Sequence, residues 1–533
     1  MRYSLRATLA VLLLAGFPVL MLAVAGALIW LEVEAFHGHP FTAIRLGFLA
    51  VPVLYVLVTA LLTFERSHDD VDGVLVTPGE QPELWAAVRE LAQEVGTRPP
   101  DEIYLVPQVN AAVNEETHWA GLRVRRRRMF IGAQLFAGMR VSQLRAILGH
   151  ELGHYSNRHT RFAGATYRGR QTIGRVVNGL SSAGSGRLVR PIFTAYAAVY
   201  FQVSARVSQQ QELAADTDSA RVAGSAAAAS ALREVEVLDA AWWVFLNDYA
   251  TVAWSSGYLP ARMTEGYQLL LSDGQRAEEM ASLRENPPSR PASKYDSHPP
   301  MAERIALLEA APAVPVPPGG ERPAMDLLRN GPELLDAVLV TGFTEGVSSK
   351  KKLDWASLVD IGVRDSNQAE ALRILRSRRL DDLLDLLDAG RLEELADPTA
   401  PPEARGPERE LYRAQVHLRL SIVLHAMLAK AGAAHWELSW SGPAQLVLAE
   451  PYAAELDPAV DAAIDGDTAP RVARPGSVLR GKPFARTDQA LHRSAVHADA
   501  LTNVAWQIRS ARGRSTSARS NSRDSSARPA VLV

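Results

Sequence analysis

Two histidines and a glutamate stand together in His150-Glu151-Leu152-Gly153-His154. Around them Leu144, Ile147, Leu148 and Leu152 recur at helical spacing and Ser142 suits an N-cap, so the pattern predicts a helix. Histidines four apart share one helical face, where both imidazoles reach a single cation. Glu151 projects beside them, placed to take a proton from a metal-bound water without being a ligand. That is the chemistry of a zinc hydrolase. A helix carrying two surface histidines is the plain alternative. Gly149 and Gly153 weigh against it, because they slim the helix where another backbone or a ligand must approach.

A catalytic zinc takes three protein ligands and keeps one position for water. No third histidine follows at short spacing, so the remaining ligand must come from elsewhere in the chain. Ser204 to Ala220 reads as a second helix, with Gly224 as its stop. Glu212 and Asp216 lie four apart on one face of it. Glu212 could bind the metal while Asp216 accepts a hydrogen bond from a ligand imidazole and so fixes its tautomer. Taken alone, such an acidic pair is more often a solvated face.

Four stretches in order carry a resemblance to the M48 metallopeptidases, a family of membrane zinc proteases. Leu148-Gly149-His150-Glu151-Leu152-Gly153-His154 and Gln211-Glu212-Leu213-Ala214-Ala215-Asp216 are similar to its two signature helices. Asn110-Ala111-Ala112 resembles its strand motif ahead of the zinc helix, and Ser297-His298-Pro299-Pro300 with Arg304-Ile305 its late His-Pro segment. The resemblance covers roughly residues 75 to 310. It implies one Zn2+ per chain, a zincin-like (gluzincin) fold that is mainly α with a small β-sheet, and a polypeptide substrate. In such folds the substrate lies along an edge strand, which gives substrate binding to Asn110, Ala111 and Ala112. It also favours His298 as a donor to the tetrahedral oxyanion, with Arg304 in support. A loop histidine beside a turn is the equal alternative for His298.

Composition bounds the rest. At 533 residues the chain is too long for one ordinary domain. A net charge of −2 gives no push towards nucleic acid, and none is expected as a partner. The absence of cysteine excludes disulfides, thiolate metal sites and a cysteine nucleophile. Residues 7–31 form an uncharged apolar run long enough for a bilayer core that needs about 20 helical residues, and longer than a signal peptide requires. A second run spans 46–64. Residues 1–70 are therefore expected to be a transmembrane hairpin anchor in the cell membrane. Arg2 and Arg6 precede it, whereas the connection from Glu32 to Arg45 carries two acids and one base, which places the N-terminus and the catalytic domain in the cytoplasm.

A metallopeptidase domain is expected over 71–310, with an amphipathic helix bearing Leu84, Val88, Leu91 and Val95, then strands at 102–106 and 122–131. The Arg125–Arg128 run suits either lipid headgroups or a solvated strand edge. Residues 161–187 carry arginines and glycines, so no crossing is expected there, and 191–203 reads as a core or interfacial helix. The aromatics Trp242, Trp243, Phe245, Tyr249 and Trp254 read as core ahead of a pocket lining. Residues 311–325 read as a linker and 326–507 as a mostly helical region, with acidic helices near 380–395, a helix at 409–430 and a hairpin at 435–449. The Ser/Arg-rich tail at 508–533 has the composition of disorder.

The expectation from all of this is a membrane-anchored zinc endopeptidase acting near the membrane, with a role in membrane-protein quality control. The rival is a membrane-bound scaffold with a structural metal site and no proteolysis. Oligomeric state is not legible.

Overall fold

The computed structural model describes residues 2–38, 47–48, 50–56, 58–59, 73–118, 123–155, 163–182, 189–287, 293, 295–343, 346–376, 378, 382–383, 385, 407–450 and 452–464. By contact density the chain divides into two compact units. The described residues of the first lie within Met1–Trp242 and Ala277–Thr344, and those of the second within Trp243–Arg276 and Glu345–Ser525.

The first unit opens with helix α1, Arg2–Gly38. It runs past the expected end at residue 31, so Glu32 and Glu34 belong to its last turns and not to a connecting loop. Within it Thr8–Gly38 is the one stretch among the described residues long and apolar enough to cross a membrane. The expected second span at 46–64 lies largely outside the described residues. Its described parts, 47–48, 50–56 and 58–59, are helical, and Val53 packs against Phe17 and Met21 of α1.

A four-stranded mixed sheet follows, with β1 at Val74–Val76, β2 at Glu102–Val106, β3 at Ala111–His118 and β4 at Arg123–Gly132. Their order is β1-β2-β4-β3, which leaves β3 at an edge. Between β1 and β2 lies α2, Pro82–Val95, with Leu84, Val88, Leu91 and Val95 buried as their spacing predicts. Gly96 ends it at φ 82°, a left-handed cap that suits glycine. The Trp85 indole donates to the Val76 carbonyl at 3.0 Å and fixes this helix to the sheet.

The arginine run sits on β4, inside the sheet and not at its edge. Arg127 is 6% exposed and donates twice to Glu115, at 2.6 and 3.0 Å. Arg126 and Arg128 reach Glu102 from either side at 2.8 and 2.9 Å. Three of the four arginines are thus occupied by neighbouring carboxylates, and the run is a sheet device before it is a lipid contact.

Four further helices complete what positions the site: α3 at Val141–Gly153, α4 at Ala163–Ser182, α5 at Arg190–Ala223 and α6 at Ser225–Val244. The helix expected at 204–220 and the apolar segment 191–203 are one continuous element, α5, ended by Gly224 at φ 98°. Pro191 sits in its first turn, where the missing N–H costs nothing. Helix α7, Met301–Ala310, follows the proline-rich loop. Residues 311–325, expected as a linker, are packed instead: Ser142 N–H donates to Gly320, Val141 N–H to Arg322, and Ala324 N–H to Met139.

In the second unit, helices Trp355–Leu375, Pro407–Lys430 and Tyr452–Ile464 share an apolar core of Leu375, Val416, Leu420, Val423, Leu424 and Val460. Strands Ala434–Glu437 and Gln445–Leu448 form the expected hairpin. Of the aromatics read as core, Phe245 and Tyr249 are buried here; Phe245 packs edge-on against Tyr267 and Trp355, and Tyr249 stacks on Trp440. Trp243 is exposed. The expected helices at 380–395 lie outside the described residues except for 382, 383 and 385, and the tail at 508–533 lies wholly outside them.

Candidate metal centre

Helix α3 buries Leu144, Ile147, Leu148 and Leu152, the face read from the sequence. Its start differs. Ser142 lies inside the first turn and is buried, and Arg140 holds the cap position. The reason is that the first-turn N–H groups of Val141 and Ser142 go to the backbone of Arg322 and Gly320, each at 2.9 Å, so no side-chain cap is needed. The Gln143 side chain accepts from the Arg140 N–H at 2.9 Å and completes the entry.

What lets α5 reach the histidines is the pair of glycines. A Cβ on Gly149 would stand 2.6 Å from Val222 Cγ2, and one on Gly153 would stand 3.3 Å from the Ala215 Cα. The neighbour that requires the slim helix is α5, through its backbone at Gly153 and through the Val222 side chain at Gly149. Ser219 Oγ donates to the Ala146 carbonyl at 2.8 Å across the same contact.

Three side chains converge at that contact. His150 and His154 stand with ring centroids 4.8 Å apart and planes at 86°. His150 Nε2 lies 3.5 Å from Glu212 Oε2, and His154 Nε2 lies 3.5 Å from Glu212 Oε1. Ligand atoms bound tetrahedrally at about 2.0–2.1 Å from zinc stand roughly 3.3 Å from one another, so these separations suit a shared small cation. His150 Nε2 and Glu212 Oε2 are both buried without a hydrogen-bond partner. Such orphans are costly in a folded interior unless an ion or water meets them. The donor set, two imidazoles and a carboxylate, fits zinc.

Glu151 Oε also lies within 4.8 Å of the imidazole nitrogens. Glu212 lies 3.5 Å from Nε2 of each ring, and Glu151 stands in the same cluster. Burial pushes the Glu151 carboxyl up to about 7, against the pull of His150. That is a suitable value for a group that must both take and return a proton near neutrality.

Behind the histidines stands a second layer. Asp216 Oδ1 lies 3.0 Å from His150 Nδ1. Arg304, 1% exposed, donates to both Asp216 oxygens at 2.8 and 2.7 Å, and its Nη1 lies 3.5 Å from Glu212 Oε2. An Asp216 acceptor keeps the proton of His150 on Nδ1, which turns the Nε2 lone pair towards Glu212. In the metal-free cluster, burial would lower the His150 imidazole, but Asp216 and Glu212 outweigh it and hold it up at about 9. Burial and the charge of His150 push His154 down to about 4. Burial alone would raise Glu212, yet His150 and His298 hold it well below the usual carboxylate range. In the metal-free cluster the proton therefore rests on His150, between Asp216 and Glu212, and His154 stays neutral.

His298 arrives from the loop before α7, with Nδ1 3.1 Å from Glu212 Oε2 and the side chain 34% exposed. Ala111 and Ala112 begin β3, paired to Ile131 and Phe130 of β4 on one side. The Asn110 carbonyl accepts from Gly132 N–H at 2.7 Å, so Asn110 anchors the strand's start. No strand pairs with the other side of β3 among the described residues. Tyr155, one residue beyond His154, donates its hydroxyl to the Val113 carbonyl at 2.7 Å and ties the end of the histidine motif to this strand.

Two residues carry more than their sequence context suggested. Arg304 stood only as a neighbour of His298, although an arginine one turn into a short apolar helix signals a buried partner. Nothing in the sequence marked Tyr155.

Comparison with known proteins adds a family. Residues 78–311 match the family model described as Peptidase family M48. No curated protein and no solved structure matches the chain.

Proposed function

We propose, from residues 78–311 being a peptidase family M48 domain, that this chain is a zinc-dependent endopeptidase anchored in a membrane by α1. The observation that carries the reading is the convergence of His150, His154 and Glu212 from two helices, with Glu151 clustered beside the two imidazoles.

In this reading His150, His154 and Glu212 hold the ion. A bound Zn2+ would polarise the scissile carbonyl and acidify a water. Glu151 takes the proton of the attacking water and returns it to the leaving amine. Asp216 and Arg304 orient His150. His298 donates to the oxyanion from the exposed side of the site, where one polar side chain aimed at developing charge is worth about 3 to 4 kcal/mol in hydrolases that use an oxyanion hole. The polypeptide adds to the free side of β3 at Ala111 and Ala112, with Asn110 at its start. The exposed apolar surface of Thr8–Gly38 supports a membrane anchor, and a return crossing by the apolar run at 46–64 would bring the catalytic unit back to the side of the N-terminal arginines. A part in clearing damaged membrane proteins follows from that placement.

A second reading is favoured by one distance. His298 Nδ1, 3.1 Å from Glu212 and without a hydrogen-bond partner, could close the site as a fourth ligand and make it structural. Unfolded casein separates the two. The peptidase reading expects cleavage that stops on chelation and in Glu151→Gln, with zinc content unchanged in that variant. Full cleavage by Glu151→Gln would remove Glu151 from the mechanism, and no cleavage by the zinc-loaded native chain would leave the structural reading.

A further inference from the structure

Helix α5 is uninterrupted from Arg190 to Ala223, yet its two halves sit in different surroundings. In the first half Phe193, Ala197 and Tyr200 join an apolar cluster with Phe17 and Met21 of α1 and Ile173, Val176 and Leu180 of α4. Phe17 meets Phe193 edge-on at 6.0 Å and Tyr196 at 5.6 Å, and the Tyr196 hydroxyl donates to the Leu13 carbonyl. The outward side of this half is apolar as well, with Ile192 48% and Val199 53% exposed, matching Leu12, Val19 and Leu22 on α1. The second half delivers Glu212 and Asp216 to the candidate metal centre. One rigid element thus joins the apolar layer to the site.

We propose that the bilayer boundary crosses α5 at Arg206, so that the metal centre stands at a fixed short height above lipid and the enzyme selects peptide bonds close to a substrate's own membrane segment. This rests on the reading of α1 as a span and of the site as a zinc peptidase. Three observations set the level. Between Arg190 and Arg206 no residue is charged, and on α1 none is charged between Arg6 and Glu32. Leu13 and Phe17 lie against Tyr196 and Phe193, so the two helices run antiparallel, and an equal rise of about 1.5 Å per residue brings position 6 of α1 level with residues 203–204, within about one turn of Arg206. Arg170 of α4 comes to nearly the same level, its guanidinium donating to the Phe201 carbonyl at 3.1 Å, Ser204 Oγ at 3.0 Å and the Tyr295 carbonyl at 2.6 Å. Arginines from three helices at one level suit an anionic headgroup layer. Arg175 and Asn178 on the outward side of α4 are polar, so the α1–α5 side is the one turned to acyl chains.

From Arg206 to Glu212 is six residues of helix, about 9 Å. An extended chain at about 3.3 Å per residue covers that height in roughly three residues. A bond nearer than that to a substrate's span cannot reach Glu151 without pulling lipid-buried residues out. Longer spacers reach it by slack, at an effective concentration that falls slowly with length.

Because the chain has no cysteine, single cysteines report depth without background. In intact proteoliposomes, Ile192→Cys and Val199→Cys should resist a membrane-impermeant maleimide until detergent is added, while Gln210→Cys labels at once. Val199→Cys labelling as fast as Gln210→Cys would overturn the placement. A series of single-span substrates in the same liposomes, with one cleavable sequence set one, three, six, twelve and twenty-four residues from the span, tests the selection. Cleavage should be absent at one residue, greatest near three to six and several-fold lower at twenty-four. Equal rates across the series, with casein still cleaved in a chelator-sensitive way, would remove the height rule and leave the peptidase; casein left intact would remove the peptidase itself.

Discussion

Replacing Arg304 by methionine tests the buried layer behind the histidines. The substitution keeps volume and removes the donors. Arg304 is 1% exposed and makes a two-pronged contact to Asp216 at 2.8 and 2.7 Å. Breaking one partner out of such a buried pair costs up to about 3–5 kcal/mol, and here Asp216 keeps His150 Nδ1 at 3.0 Å as its remaining partner. For a unit of this size each kcal/mol moves the thermal midpoint by about 2–4 °C, so Arg304→Met should melt on the order of 10 °C lower. The companion change Asp216→Asn removes the stranded charge, and the double variant should recover part of the loss. Thermal unfolding of the metal-free chain in detergent, for native, both singles and the double, gives the cycle. Zinc affinity should fall about 10–100-fold in Asp216→Asn, since an amide oxygen then holds His150 Nδ1–H without the carboxylate's charge. A pH arm adds a sign. Burial alone would raise the Asp216 carboxyl, but Arg304 and His150 hold it down at about 2, from a usual 3.8. A depressed carboxyl contributes stability that is present above about 4 and lost as pH falls towards 2. In Arg304→Met the folded-state carboxyl rises towards its unfolded value, so that acid loss should be smaller and end at a higher pH. An Arg304→Met midpoint within about 2 °C of native, or a cycle additive to within about 0.5 kcal/mol, would refute the coupling.

Three further outcomes are expected. Gly149→Ala puts a methyl 2.6 Å from Val222 Cγ2 and should cost about 1–3 kcal/mol with weaker zinc retention, both relieved by Val222→Ala; an unchanged midpoint would mean the helices part freely. Glu212→Ala should deplete zinc in the purified protein, and full zinc content by atomic absorption would reassign the third ligand. His298→Ala should keep its zinc and lose kcat by about 10²–10³ with KM little changed, whereas loss of the metal would make His298 a ligand.

The arrangement of residues around Glu212 shows why some of this was legible and some was not. Local patterns of period 3.6 placed α2, α3 and the stop at Gly224, because each is set by which residues must be buried on one face. The steric argument for Gly149 and Gly153 also carried over, since a missing Cβ means something only if a backbone comes close. What failed were features decided by distant chain. Ser142 looked like a cap until residues 320–322 supplied the acceptors for the first turn of α3. Residues 311–325 looked like a linker because proline and glycine mark irregular backbone, and that marking does not say whether the backbone is packed. The Arg125–Arg128 run read as a surface because its carboxylates, Glu102 and Glu115, sit on other strands.

A metal centre split between two helices raises a question of precision that the small residues answer. Packed helices with ordinary side chains between them stand about 8–10 Å apart, and a ligand must then bridge by side-chain length alone. Here Gly149 and Gly153 face Ala215 and Val222, and Ser219 bonds directly to the Ala146 carbonyl, so the α5 backbone rests on α3 at the height of both histidines. Glu212 then needs only its own length to reach Nε2 of each ring, and Asp216, one turn further, falls beside the Nδ1 of His150 by the helical repeat alone. Ligand and orienting acceptor are therefore fixed by a single parameter, the separation of α3 and α5. A change that spreads these two helices should weaken metal binding and the His150–Asp216 contact together, whereas one that alters only the loop bearing His298 should leave both intact.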